Sequence, residues 1–358
     1  MIKQARTHLA FLLHMHQPHY VEPESGRALL PWVRLHGARA YLDVARLLDE
    51  FGDVRMTINF VPSLVEQLEA VSRGARDTWE EIAARPASSW TPDERAFLLE
   101  RFFSVAWNPN VESRPRYREL LDKRGRRVTP GSIAAAASRF TDGELRDLTV
   151  LFHLAWLGFA AREDEPRIAE LERKGRGFDE DDLKLVLTVG RRACERVLAL
   201  YRRLEARGQV ELSSSPYYHP IVPLLCDTEA ARRARPDLPI PDRFAFPDDG
   251  RRQIALGRDE HARAFGHAPI GMWPPEGSIS PEAIAAYHAE GIRWLASDEG
   301  NLFRSLPAAA AGDRGALYRP WRHGGVDLVF RDRDISDRIG FRYAHGDARA
   351  GVASSRSS

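Results

Sequence analysis

Hydrophobic and polar positions alternate in two distinct rhythms along this chain. His8 to His14 is a nearly unbroken apolar run, the pattern of a strand buried on both faces. A polar, turn-rich stretch follows to Gly26. Ala38 to Phe51 then carries Leu42, Ala45, Leu47 and Leu48 at helical spacing. Val54 to Phe60 alternates and predicts a second strand, with another helix running through Leu64 and Leu68. Strand, helix and strand in this order predict a β/α repeat and a parallel sheet or barrel.

From about residue 77 to 207 the pattern is mostly helical. Thr91 precedes Pro92 and Asp93, a good helix opening. Asp181 to Ala206 has an acidic start, a basic end and Gly208 just beyond, as the helix dipole and a glycine stop favour. Short strands return at Val210–Ser214, Ile270–Trp273, Ile292–Ala296 and Leu328–Phe330. A helix from Pro281 to Glu290 lies among them, ended by Gly291. The fold class expected is α/β: a barrel of residues 1–347, built from both ends of the chain and holding a helical insertion at about 77–207. Residues 348–358, rich in Ala, Gly, Ser and Arg, are expected to be a disordered tail.

Composition narrows the function classes. The 52 basic and 51 acidic side chains leave a formal charge of +1, so no field of one sign favours nucleic acid or an anionic membrane. Cys194 and Cys226 are distant and form no C-x-x-C pair. That disfavours a disulfide framework or a zinc–cysteine site and suits a reducing, cytoplasmic location. The apolar run Leu9–Leu13 is too short for an export signal, and no stretch reaches membrane-spanning length.

In a β/α barrel, chemistry gathers where strands end. The first strand runs into His14, His16, Gln17, His19 and Tyr20. Alternation puts His14 and His16 on one face. Alternate histidines can share an ion, but no acid from 14 to 20 completes a set. We therefore read these residues as hydrogen-bonding groups for sugar hydroxyls, with no metal. Glu211 is a candidate third carboxylate or the partner of a barrel arginine, and Tyr218 and His219 follow it. The segment Gly271-Met272-Trp273-Pro274-Pro275-Glu276-Gly277-Ser278 brackets one carboxylate with constrained backbone and an aromatic wall. The next strand runs Trp294 to Asp298. Glu276 and Asp298 are 298 − 276 = 22 residues apart, one helix plus its turns. They are thus expected on adjacent strands, about 4.8 Å apart. Two carboxyls so placed suit the roughly 5–5.5 Å of a retaining double displacement at a glycosidic bond. One carboxylate is expected to attack the anomeric carbon and the other to protonate the leaving oxygen, the acid's pKa being raised by its neighbouring carboxylate and by burial beside Trp273 or Trp294. Asp332 and Asp337, in the charged run Phe330–Asp337, are candidate sugar ligands or members of a salt-bridged loop.

These residues resemble glycoside hydrolase family 57, whose members carry five short motifs in fixed order. The matching segments are His16-Gln17-Pro18; Gly208–Glu211 running to His219-Pro220; Trp273–Glu276; Trp294–Asp298; and Phe330–Asp337 continuing into Ile339-Gly340-Phe341. The resemblance covers about residues 8 to 343. It implies an incomplete (β/α)7 barrel, Glu276 as nucleophile, Asp298 as acid/base, an α-glucan or maltooligosaccharide substrate and no required cofactor. The family includes α-amylases, amylopullulanases, branching enzymes and 4-α-glucanotransferases. Trp-Pro-Pro-Glu-Gly-Ser and Phe-Arg-Asp look more like the amylopullulanase/α-amylase side. Relatives continue into a helical region, whereas this chain stops about 15 residues after Tyr343, so a truncated form is expected. Three other readings stay open: an α-glucan transglycosylase, a non-catalytic glucan-binding relative, and a metal-dependent deacetylase-like barrel using His14 and His16.

Overall fold

A computed structural model describes residues 8–307, 313–343 and 349. The expected tail, apart from Arg349, lies outside the described residues. The chain divides into two compact units. One comprises Met1–His16, Thr57–Ser63 and Glu211–Ser358, the other Gln17–Met56 and Leu64–Val210. The helical unit thus takes in residues 17–56 as well as 64–210.

The strands are β1 (Leu12–Met15), β2 (Met56–Phe60), β3 (Val210–Ser213), β4 (Gly271–Met272), β5 (Trp294–Asp298), β6 (Trp321–His323) and β7 (Val326–Arg331). Their order is β1-β2-β3 in one sheet and β4-β5-β7-β6 in the other. A parallel bridge from Ser214 to Met272 carries the order from β3 to β4. β1 pairs with β2, β4 with β5 and β5 with β7, all in parallel, while β6 turns back antiparallel on β7. Among the described residues no pairing joins β7 to β1, so the barrel is open. β1 begins later than the apolar run at His8 predicts, and β4 is only two residues long.

The barrel unit packs around Met272, Leu295, Ile284, Tyr287, Ile254, Val326 and Leu328. Met272 and Leu295 are the inward neighbours of one register pair and are fully buried. Each such side chain contributes about 1.5–3 kcal/mol through its removal from water. The helix Pro281–Ala289 starts at Ser280, whose side chain accepts from Ala283 N at 3.2 Å. It stops before Gly291, whose φ of +82° few other residues adopt readily.

The helical unit is built around Glu180–Ala206. Asp179 and Asp182 form its capping box, and buried Leu183, Val186, Leu187, Gly190, Cys194, Val197, Tyr201 and Leu204 follow the helical period. A Cβ on Gly37 would sit 2.6 Å from Cys194 Sγ, so glycine sets the approach there. Both cysteines are buried free thiols. No described helix is long and apolar enough to cross a membrane.

Candidate active site

Trp273 leaves β4 with its N–H on Ser214 O at 2.9 Å. Pro274 and Pro275 then force a tight turn, closed by Gly277 N to Pro274 O (2.8 Å) and Ser278 N to Pro275 O (3.0 Å). Within it Glu276 takes φ 56°, ψ 19°, and Gly277 follows at φ +64°. Glu276 and His219 are the two non-glycine residues with positive φ among the described residues. A left-handed backbone costs a residue with a Cβ about 1–2 kcal/mol and collects at functional sites. The turn is tied to β5: Ser297 Oγ donates to Gly277 O at 2.6 Å, and Asn301 Nδ2 donates to the same oxygen at 2.9 Å.

β4 and β5 pair through Gly271–Trp294 and Met272–Leu295. Asp298, the last residue of β5, therefore ends at the side of the sheet toward which the Glu276 turn leads. His14, Trp273, Glu276, Ser278, Asp298, Asn301, Arg331, Arg333, Asp337 and Phe341 line one cavity of about 530 Å³.

The electrostatics of Asp298 differ from the expectation. Arg331 Nε donates to Oδ2 at 3.0 Å, Arg333 bonds both oxygens, and Gly300 N–H donates to Oδ1 at 2.9 Å. Burial by itself raises the carboxyl. The Arg333 bonds, the Gly300 N–H and the charges of Arg333 and Arg331 outweigh it and hold the group below its ordinary value. Carboxylate repulsion and burial beside tryptophan, the grounds for expecting a raised value, leave out the two guanidiniums. Their signal lay in the strand-end position of Arg331, where β7 stops.

His14 pairs in register with Asn59, and His14 Nδ1 meets Asn59 Oδ1 at 2.6 Å. His219 joins them, with ring centroids 4.8 Å from His14 and 4.2 Å from His16. Burial lowers all three pKa values. His14 falls to about 4, with the neighbouring charge of His16 adding to the effect. His219 falls to about 2, with His14 and His16 adding. For His16 burial lowers the value while the charge of Glu276 opposes it.

Other candidates go elsewhere. Gln17 and Tyr20 belong to the helical unit. There Gln17 Nε2 donates to Tyr41 Oη (3.1 Å) and Tyr20 Oη donates to Gln17 Oε1 (2.9 Å). Glu211 accepts from Trp294 Nε1 at 2.8 Å, not from an arginine. Trp294 opens β5, four residues before Asp298, or about 13 Å along the strand. Its ring covers Gly271, where a Cβ would sit 1.8 Å from it. Glu211 and Trp294 thus occupy the other end of the strands, and Trp294 does not bury Asp298. Tyr218 is exposed beside Tyr217, its N–H on Gln253 Oε1. Asp332 caps the helix Arg333–Asp337 through Ile335 N and accepts from Tyr318 Oη (2.8 Å) and Arg314 (2.9 Å). Asp337 accepts from Arg331 Nη1 at 3.3 Å at the cavity wall. Ser278, Asn301 and Phe341 join the lining without having been singled out.

The sequence profile of glycosyl hydrolase family 57 matches residues 10–355, and the chain belongs to that family. Its fold is the family's α/β incomplete (β/α)7 barrel with a large helical insertion. Among solved structures, the alpha-amylase AmyC of Thermotoga maritima is 15% identical at a TM-score of 0.49, covering 92% of this chain and 46% of that one. A branching enzyme of Pyrococcus horikoshii is 19% identical at 0.45, covering 91% and 47%. The 4-alpha-glucanotransferase of Thermococcus litoralis is 16% identical at 0.43, covering 93% and 29%. The chain thus spans half or less of the length of these relatives. No curated protein matches it significantly.

Proposed function

We propose that the barrel unit is the catalytic part of a retaining glycosidase acting on α-glucans, with Glu276 as nucleophile and Asp298 as acid/base. One observation carries this reading: Glu276, held in a strained left-handed turn, and Asp298, at the end of the paired strand, line the same cavity. In the first step a Glu276 oxygen attacks the anomeric carbon as the bond to the leaving oxygen breaks, and Asp298 gives that oxygen a proton. In the second, Asp298 takes a proton from water, which displaces Glu276. The arginine pairs favour the charged Asp298 that the second step uses. The first step needs its protonated form, so productive glucan binding must draw Arg333 away from the carboxylate. Trp273 offers an apolar face to a sugar ring, and His14 and Asp337 offer polar groups to its hydroxyls. The Trp-Pro-Pro-Glu-Gly-Ser turn supports the α-amylase/amylopullulanase side, with water as the usual acceptor and α-1,4 or α-1,6 bonds as targets. A sugar hydroxyl in place of water would make the same intermediate a transferase.

Amylose, pullulan and maltooligosaccharides are the substrates to test, with product anomers followed by NMR. The α-anomer is expected first, and free sugar rather than lengthened chains as the main product. An initial β-anomer contradicts the retaining route, and a predominance of lengthened chains moves the assignment to transfer.

A further inference from the structure

We infer that His14, His16 and His219 form a three-imidazole site for a divalent transition-metal ion such as zinc, beside the Glu276 cavity that His14 lines. One ring nitrogen from each lies within 4.8 Å of the other two. A tetrahedral zinc with Zn–N of about 2.0–2.1 Å needs nitrogens about 3.4 Å apart. Imidazole rotation of an ångström or so closes that gap.

The surroundings settle which nitrogen of His14 is available. Asn59 Nδ2 donates to Ser213 Oγ (3.2 Å) and Ser214 O (2.5 Å), so its Oδ1 must face His14. His14 Nδ1 therefore carries the proton, and Nε2 keeps a lone pair. A ligating histidine characteristically donates its other N–H to a fixed acceptor in this way. His219 supplies an independent sign. Its Nδ1 is buried with no hydrogen-bond partner among the described residues, and its backbone is held at φ 58°. An ion satisfies such a nitrogen, whereas ring stacking does not.

The site is separate in chemistry from the proposed glycosidase reaction, and an ion there would compete with a sugar for the same rings. The test is calorimetric titration of chelator-treated protein with zinc chloride, with cobalt chloride as a spectroscopic probe. Binding of one ion per chain is expected, with the intense visible bands of four-coordinate cobalt. His16→Ala and His219→Ala should each weaken binding at least tenfold, and Asn59→Ala roughly tenfold through loss of the orienting bond. His288→Ala, in the last turn of the helix Pro281–Ala289 and outside the cluster, should leave binding unchanged. Absence of one-to-one binding below about 100 µM, or binding indifferent to His16→Ala and His219→Ala, overturns the inference. If those variants fail to fold, zinc-edge absorption of the wild type decides, and fewer than three imidazole ligands refutes the site. Glu276→Gln should still bind the ion, so failure of glucan turnover and failure of metal binding remain distinguishable.

Discussion

In the helical unit, Arg34 is buried with its Nε 2.6 Å from Asp77 and 3.3 Å from Glu80, and Arg191 holds both Glu80 oxygens at 2.7 Å. In the barrel unit, Asp298 carries comparable arginine pairs beside a cavity, next to a turn in which Glu276 is backbone-strained. The helical unit also begins four of its helices with capping boxes, at Thr91, Thr129, Thr141 and Asp179. Local preference and tertiary packing agree there, which is the signature of a region that only has to be stable. Both positive-φ non-glycine residues fall in the barrel unit, at the cavity or in its histidine cluster. Backbone strain and arginine pairing beside a cavity set the barrel unit apart from the helical unit.

Substitutions can break this contrast. Arg34→Leu strands Asp77, while Arg191 still holds Glu80, and should cost about 3–5 kcal/mol in urea unfolding; a loss under about 1 kcal/mol would show that the network is not a staple. Burial alone would raise Asp77, but Arg34 and the Glu80 N–H outweigh it and hold its carboxyl low. The stability this supplies is complete above the ordinary carboxylate range and lost as pH falls through the depressed value. The acid-unfolding midpoint of Arg34→Leu should therefore move to higher pH.

At the cavity, Glu276→Gln should lower glucan turnover well over a hundredfold, about 2.7 kcal/mol in activation, with the unfolding curve nearly unchanged. An unchanged rate removes Glu276 from the mechanism. Glu276→Gly should be more stable than Glu276→Gln by about 1 kcal/mol, because only glycine relaxes the left-handed turn; equal stability would mean the turn is not strained. Thr91→Ala, at a surface cap, should cost about 1 kcal/mol and leave turnover alone.

Arg333→Ala sharpens the comparison further. Removing that charge raises the Asp298 pKa, so the proton needed for the first step persists to higher pH. The falling, basic limb of the kcat/KM profile should move upward. A limb that stays in place assigns that ionisation to another group.

Helix limits were readable because their signals are local. Thr91, Pro281 and Gly291 act within a turn of where they stand. The adjacency of the Glu276 and Asp298 strands was readable too, since one helix between two short strands leaves a parallel neighbour as the simplest connection. Gln17 and Asp332 were less legible, as each is a polar residue near a strand end whose bonds go to the fold's own groups. Trp294 was misplaced by proximity in sequence: four residues of extended chain carry it to the far end of the strand from Asp298.

The Glu276 turn shows where the two sources of information divide. Its prolines and Gly277 by themselves determine a tight, exposed carboxylate after a buried strand, because their φ restrictions hold in any surroundings. The same is true of the alternation that puts His14 and His16 on one face. Tertiary structure alone decided that Arg331 and Arg333 clamp Asp298, that Trp294 bonds Glu211, and that His219 completes the histidine cluster. Those pairings depend on strand register and on loops distant in the chain, and no local backbone preference encodes them.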